Sequence, residues 1–312
     1  MQVLWPTDDS PMRIGTRGSP LALAQAHETR RRLMEMHAIE EKCFDIVVIK
    51  TSGDRIQDRP LREVGGKGLF TKEIEEALLD KSIDIAVHSM KDMPVDQPGG
   101  LILDCYLPRE DPRDAFISPV ANALSDLAPG SLVGTSSLRR KSQILYQRPD
   151  LKVVEFRGNV QTRLRKLDEG VANCTFLAMA GLNRLGLENV ANAPISVNDM
   201  LPAVCQGIIG IERRIDDETV KDLIGPLHDF PTGFQATAER AFLRKLDGSC
   251  QMPIASLCEL SGDQMRLRGE ILRPDGSESL HHELRGSVDD AEEIGTKLGA
   301  ILLNDAGPYF FD

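Results

Sequence analysis

At 312 residues, 41% hydrophobic and 27% charged, the chain has the make-up of an ordinary soluble globular protein with room for two or three domains. Its net charge of −11 argues against nucleic acid as a general partner, and no apolar run reaches the length of a membrane span. The six cysteines form no CxxC pair and the six histidines no HExxH, so a zinc site is not expected.

The start, MQVLWPTDDSPM, lacks the basic-then-apolar layout of a signal peptide and reads as a loose leader, which places the protein in the cytoplasm. Arg13–Thr16 reads as a first strand. Ser19 then suits an N-cap and Pro20 the first helical position, predicting a helix towards His37. That turn reads as an anion site, to which Arg17 adds a full charge, ahead of a reading as capping alone, which needs Ser19 and Pro20 but not Arg17. Phe44–Lys50 is a second strand. Gly65-Gly66-Lys67-Gly68 leads into a helix from Leu69 to about Lys81; it lacks Walker A spacing and reads equally as a charged ligand loop or a plain flexible one.

Ile83–Pro94, IDIAVHSMKDMP, is an apolar strand that ends abruptly in His88, Ser89, Lys91 and Asp92. Ligands of open α/β sheets sit at the carboxyl ends of strands, and a carboxylate beside a cation suits acid/base work. The alternative is a solvated junction with an exposed ion pair. Leu101–Tyr106 is a further strand, and the charged PREDPRDA after it reads as a hinge into a second unit.

The second unit repeats the logic. Ser131–Thr135 is a strand, Ser136-Ser137 caps a helix from Leu138, and Arg139 and Arg140 fall in its first turn. Cations are unfavourable there by roughly 0.3–1 kcal/mol each, so a bound anion is expected to offset them. Lys152–Phe156 ends in Arg157-Gly158-Asn159, a helix carries Arg163, Arg165 and Lys166, and Cys174–Met179 ends near Arg184. Strand ends therefore bring Arg139, Arg140, Arg157 and Arg184 to one rim suited to carboxylates or phosphates. Leu201–Glu212 is an apolar strand that crosses back to the first unit.

A helix, Phe234–Leu246, three strand-like runs (Ile254–Leu260, Met265–Leu272, Leu280–Arg285) and a closing helix from Asp289 towards Asn304 suggest a small α+β domain. Cys43, Cys105, Cys174 and Cys258 lie in apolar, strand-like runs and read as buried hydrophobes; Cys205 and Cys250 do not. Cys250 falls in a Gly/Ser loop and reads as nucleophile, attachment point, redox sensor or simple exposed thiol.

Seven stretches together resemble the porphobilinogen deaminase (hydroxymethylbilane synthase) family: TRGSPLALAQA at Thr16–Ala26, GGKGLF at Gly65–Phe70, AVHSMKDMP at Ala86–Pro94, GTSSLRR at Gly134–Arg140, FRGNVQTRL at Phe156–Leu164, AGLNRLGL at Ala180–Leu187 and LDGSCQMPIA at Leu246–Ala255. The resemblance implies two α/β lobes like those of periplasmic binding proteins around a cleft, residues 1–107 with 208–226 and residues 113–201, and a small C-terminal α+β domain, 229–312. It implies a dipyrromethane cofactor on Cys250 through a thioether, to which porphobilinogen units are added until a linear tetrapyrrole is released. It makes Asp92 the catalytic carboxylate, assisting loss of ammonia and stabilising cationic pyrrole nitrogens during coupling. Cofactor contacts are expected from Lys91, Asp92, Thr135, Ser136, Ser137, Arg139, Arg140, Arg157, Gly158, Arg163 and Arg184. Substrate contacts are expected from Arg17, Ser19, Lys67, Arg157, Arg163 and Arg184. No metal, nucleic acid or membrane is implied, and a monomer is expected.

The physical reading agrees: coupling passes through electron-poor pyrroles that a fixed carboxylate stabilises, and the carboxylate arms of substrate and product account for many Arg in an acidic protein. Three departures stand out: Glu63 where some members carry a basic residue, Ser249 for Gly beside Cys250, and Cys205 where Gly is common. Two rival readings remain. One is a non-catalytic two-lobed binding protein for a polycarboxylate, which needs neither Asp92 nor Cys250; the other is a thiol acyl transferase, which needs a His base that is not near Cys250 in sequence.

Overall fold

The computed structural model describes residues 5–55, 70–248 and 252–311. The chain opens as its punctuation predicts. Strand β1 (Met12–Arg17) stops at Gly18, Ser19 caps, and Pro20 begins helix α1 (Pro20–His37). Ser19 is extended and its Oγ accepts the Ala22 N–H at 3.2 Å, meeting one of the orphan donors of the first turn locally. Strand β2 (Phe44–Ile49) lies parallel to β1 with Met12 opposite Phe44. Helix α2 (Lys72–Leu79) returns the chain to β3 (Ile85–Ser89), parallel to β1 on its other side, and β4 (Leu101–Tyr106) follows.

The charged stretch expected to be a hinge runs at its last two residues into a strand, β5 (Asp114–Ile117), whose four residues are all buried. Strands β6 (Leu132–Gly134), β7 (Lys152–Val154), β8 (Cys174–Ala178) and the two-residue β9 (Ala193–Pro194) complete a second sheet, in the order β7-β6-β8-β5-β9. Helix α3 (Leu138–Gln147) follows β6, α4 (Val160–Asp168) follows β7 and α5 (Met179–Arg184) follows β8. The crossing run is narrower than expected: of Leu201–Glu212 only its last part is strand, within β10 (Ile209–Arg214), followed by helix α6 (Glu218–Ile224). β10 runs antiparallel between β3 and β4, closing the first sheet as β2-β1-β3-β10-β4.

Each five-stranded sheet is covered on both faces, as mostly parallel sheets require. In the first, Ile14, Ile85 and Val87 pack with Leu33 and Leu223, while Ile83 and Ala86 on the other face meet Ile74 and Leu78. In the second, Val133, Phe116 and Phe176 pack with Ile144, and Ala115 and Leu177 meet Leu167 and Leu182. A longer helix than expected, α7 (Phe230–Lys245), leads to an antiparallel sheet β11 (Ile254–Ser261), β12 (Gln264–Leu272), β13 (Ser279–Ser287), closed by α8 (Ala291–Ala306). By its contacts the chain separates into two units. One runs to Arg109 and resumes over Ile208–Gly233; the other comprises Glu110–Gly207 and the chain from Phe234, so the three-stranded sheet groups with the second five-stranded one.

Cys205 corrects the sequence reading in one respect: it is buried, at 1% exposure. Its φ of 57° also supplies a physical reason for glycine to be common there, since left-handed backbone is costly for a residue with a Cβ. The strained turn is held from α7, where the fully buried Glu239 accepts the N–H of Cys205 at 2.6 Å and of Cys258 at 2.8 Å. Glu239→Gln keeps the shape but turns a donor towards an N–H. We expect a loss of about 2 kcal/mol, the scale of a charge-assisted hydrogen bond, read by urea unfolding; a change below ~0.5 kcal/mol would contradict this role.

Candidate active site

The first unit gathers a pocket at the carboxyl ends of β1 and β3. Its walls include Arg17 from the end of β1, Ser19 from the cap of α1, His88 and Ser89 from β3, and Asp92 from the short 3-10 turn Met90–Asp92. That turn is tied to the start of β10 by the Met90 N–H donating to the Ile208 carbonyl at 3.0 Å. Asp92 itself is exposed, whereas its neighbours Met90 and Met93 are buried, so the turn plants an open carboxylate on an apolar foundation. The neighbouring end of β1 supplies the cation. The Arg17 guanidinium lies 4.2 Å from the centre of the Phe70 ring, which also lines the pocket. Gln25 of α1 and Ser89 clasp each other, the amide donating to Oγ at 2.7 Å and the hydroxyl donating back to Oε1 at 3.0 Å. Lys91 is half-buried beside Asp92 and is not among the pocket walls.

In the second unit β6, β7 and β8 are adjacent and parallel, so their carboxyl ends share one edge. Thr135, Ser136 and Ser137 follow β6, Arg157 and Gly158 follow β7, and Arg184 closes α5 after β8. The three hydroxyls are already acceptors: Thr135 for the Ser137 N–H, Ser136 for the Phe156 N–H and Ser137 for the Arg140 N–H. Each O–H thereby stays available as a donor to an anion. Gly158 has φ 125°, and a Cβ there would collide with Thr162, so no other residue fits that turn without strain. Arg163 Nε donates to the Gly158 carbonyl at 2.9 Å, and Arg184 donates to the Gly207 carbonyl at 3.0 Å.

Arg139 and Arg140 correct the expectation of an open rim. Both are buried, at 4% and 5% exposure, and the anion that offsets their charge at the start of α3 belongs to the protein. Asp114 is fully buried and takes Arg139 on Oδ2 at 2.9 Å and Arg140 on Oδ1 at 2.7 Å, with Gln206 donating to Oδ1 at 2.9 Å. Burial alone pushes the Asp114 carboxyl up, but the two guanidinium groups outweigh it and hold it well below the usual carboxylate range. Topology explains the meeting. β5 is antiparallel to β8 with Asp114 opposite Ala178, so its first residue falls at the edge where the parallel strands end. The Nε atoms of both Arg are buried with no hydrogen-bond partner among the described residues.

Cys43, Cys105, Cys174 and Cys258 are buried as expected, and burial pushes the Cys105 and Cys174 thiols up to about 12, which leaves them inert at neutral pH. Lys67 and Cys250 lie outside the described residues. Sequence reasoning passed over Asp114, Gln206, Gln25, Phe70 and Glu212. Among the described residues no helix is long and apolar enough to cross a membrane, and no cluster of three or more His, Cys, Asp or Glu is placed to hold a metal.

Comparison with known proteins agrees with the motifs. The chain is 61% identical over 307 residues to a porphobilinogen deaminase of Paracoccus denitrificans, covering 98% of each, and 53% identical over 308 residues to a chloroplastic porphobilinogen deaminase of Oryza sativa, covering 97% of this chain and 86% of that one. Among solved structures, the methionine binding protein MetQ superposes with a TM-score of 0.44 at 15% identity, over 73% of this chain and 94% of that one, a likeness too distant to add to the strand order. Residues 12–222 match the family described as porphobilinogen deaminase, dipyromethane cofactor binding domain, and residues 234–304 match its C-terminal domain; the chain belongs to the porphobilinogen deaminase family.

Proposed function

We propose that the chain is a transferase of tetrapyrrole biosynthesis, a hydroxymethylbilane synthase that joins four porphobilinogen molecules head to tail with loss of ammonia and releases the linear product by hydrolysis. The observation that carries this reading is the pocket holding Asp92 and Arg17 at the neighbouring carboxyl ends of β3 and β1, in a chain of this family. Dipyrromethane, when bound, supplies the primer whose free pyrrole end accepts each unit. The donor set fits it. The hydroxyl donors of Thr135, Ser136 and Ser137, the Nε atoms of Arg139 and Arg140 that have no hydrogen-bond partner among the described residues, and the cations Arg157, Arg163 and Arg184 suit a ligand made largely of carboxylate arms. By resemblance Cys250 is its covalent anchor, Gly158 and Lys91 are further contacts, and Lys67 covers the substrate.

In this account Arg17 and the Ser19 hydroxyl bind a porphobilinogen carboxylate. Asp92 presents its carboxylate to the aminomethyl-bearing end of the substrate, where it favours the positive charge that develops as ammonia leaves. Asp114 acts one step back, fixing both guanidinium planes of α3. The proposal includes a third domain over 229–312 beside lobes of 1–107 with 208–226 and 113–201, and a cytoplasmic monomer whose net charge of −11 disfavours nucleic acid. Incubating the purified protein with porphobilinogen tests the activity: four ammonia molecules per tetrapyrrole released support it, whereas saturable binding without ammonia release supports a non-catalytic two-lobed binding protein.

A further inference from the structure

His88 is a wall of the Asp92 pocket, yet its side chain is only 5% exposed. Its Nε2 lies 3.1 Å from Oε2 of Glu212, which is fully buried on β10. The register brings them together: His88 is opposite Gly210 and Glu212 opposite Ala86, so the two side chains are diagonal neighbours on one face. An ionised carboxylate only accepts, so Nε2 carries the hydrogen and the bond selects one tautomer. The second oxygen of Glu212, Oε1, is buried without a hydrogen-bond partner among the described residues. Glu75 of α2 is 8% exposed; burial pushes its carboxyl up, the Thr71 hydroxyl opposes that, and the nearby Glu212 charge adds to the rise while His88 offsets part of it. A fully buried carboxylate with one oxygen unpaired among the described residues is expensive to keep in a folded interior, and the His–Glu contact has the form of an orienting pair beneath a reacting group.

We propose that Glu212 is a positioning residue for the reaction in this pocket. It holds the His88 imidazole in one tautomer and orientation, and its buried negative charge favours the positive charge that develops on the substrate held before Asp92. The inference rests on the functional reading above and adds to it a carboxylate that touches neither substrate nor cofactor. Glu212→Gln removes the charge and lets the amide offer either an acceptor or a donor to the ring. Relative to the unchanged enzyme, kcat is expected to fall about 10- to 100-fold while KM for porphobilinogen stays within about threefold. Glu212→Asp, which keeps the charge, recovers part of the loss. His88→Gln falls by a similar factor, and the double variant His88→Gln/Glu212→Gln is no more than about threefold worse than either single one, because the two act as a unit. Should Glu212→Gln fail to fold, Glu212→Asp and His88→Gln carry the comparison. A kcat within about twofold of the unchanged enzyme in Glu212→Gln or, where that variant does not fold, in His88→Gln overturns the proposal, and so do an Asp variant no better than Gln and single losses that multiply in the double variant. If the unchanged protein releases no ammonia from porphobilinogen, the functional reading fails instead, and the two failures are thereby distinct.

Discussion

Asp92→Asn is expected to leave a folded protein whose turnover is lower by on the order of 10²–10³-fold, the usual loss when one preorganised charge is removed from a site where opposite charge develops. Asp92 is exposed at the pocket, so no buried ion pair is broken by the change. Its backbone is fixed independently of the side chain, through the Met93 N–H on the Met90 carbonyl and the Met90 N–H on the Ile208 carbonyl. The nearly isosteric amide therefore alters charge and little else, and stability should move by no more than about 0.5 kcal/mol. Ammonia release under saturating porphobilinogen, beside a thermal melt, separates the two effects. Near-normal turnover would remove Asp92 from its catalytic role; a large drop in melting temperature would recast it as structural.

Asp114→Ala should act in the opposite way, through the fold. The substitution leaves two guanidinium groups, each about 95% buried, facing each other without their shared carboxylate. Breaking a buried ion pair from one side costs roughly 3–5 kcal/mol, so the variant should unfold at markedly lower urea or be recovered only as aggregate. The same carboxylate gives the native protein an acid-labile joint. The Asp114 carboxyl is held below its ordinary value of 3.8, so the unfolded chain binds a proton there at a pH where the native one does not. The stability it contributes is present above about pH 4 and is lost as pH falls through and below that value. Asp114→Asn should flatten that part of the stability–pH curve; an unchanged curve would show that the triad carries little of the fold's stability.

The sequence announced its elements best where local chemistry settles them. Ser19-Pro20 fixes the start of α1, and the apolar runs of β1, β3 and β8 were legible because strands covered on both faces need little else. It announced the anion at the start of α3 as well, since Arg139 and Arg140 in a first turn demand one. What it could not say was whose anion. Asp114 is hidden in a charged stretch that looks like a hinge, and only the antiparallel placement of β5 carries it to the edge where α3 begins. Glu212 escaped for the same reason: at the end of IIGIE it looks like the polar stop of a strand, and only the pairing of β10 with β3 sets it against His88. Cys205 has its reason in a left-handed backbone angle that the sequence does not display. Long-range pairing, which no local pattern encodes, places Asp114 and Glu212.

The proposed activity requires a covalent primer at Cys250. The direct measurement is the intact mass of the purified protein beside a Cys250→Ser variant, each before and after incubation with porphobilinogen. We expect the unchanged protein to exceed its sequence mass by one dipyrromethane and the Ser variant to show its sequence mass alone under both conditions. The described cysteines are all buried, so no other thiol among them should take up the group. An unmodified mass that porphobilinogen does not change, or an identical adduct on the Ser variant, would contradict the assignment.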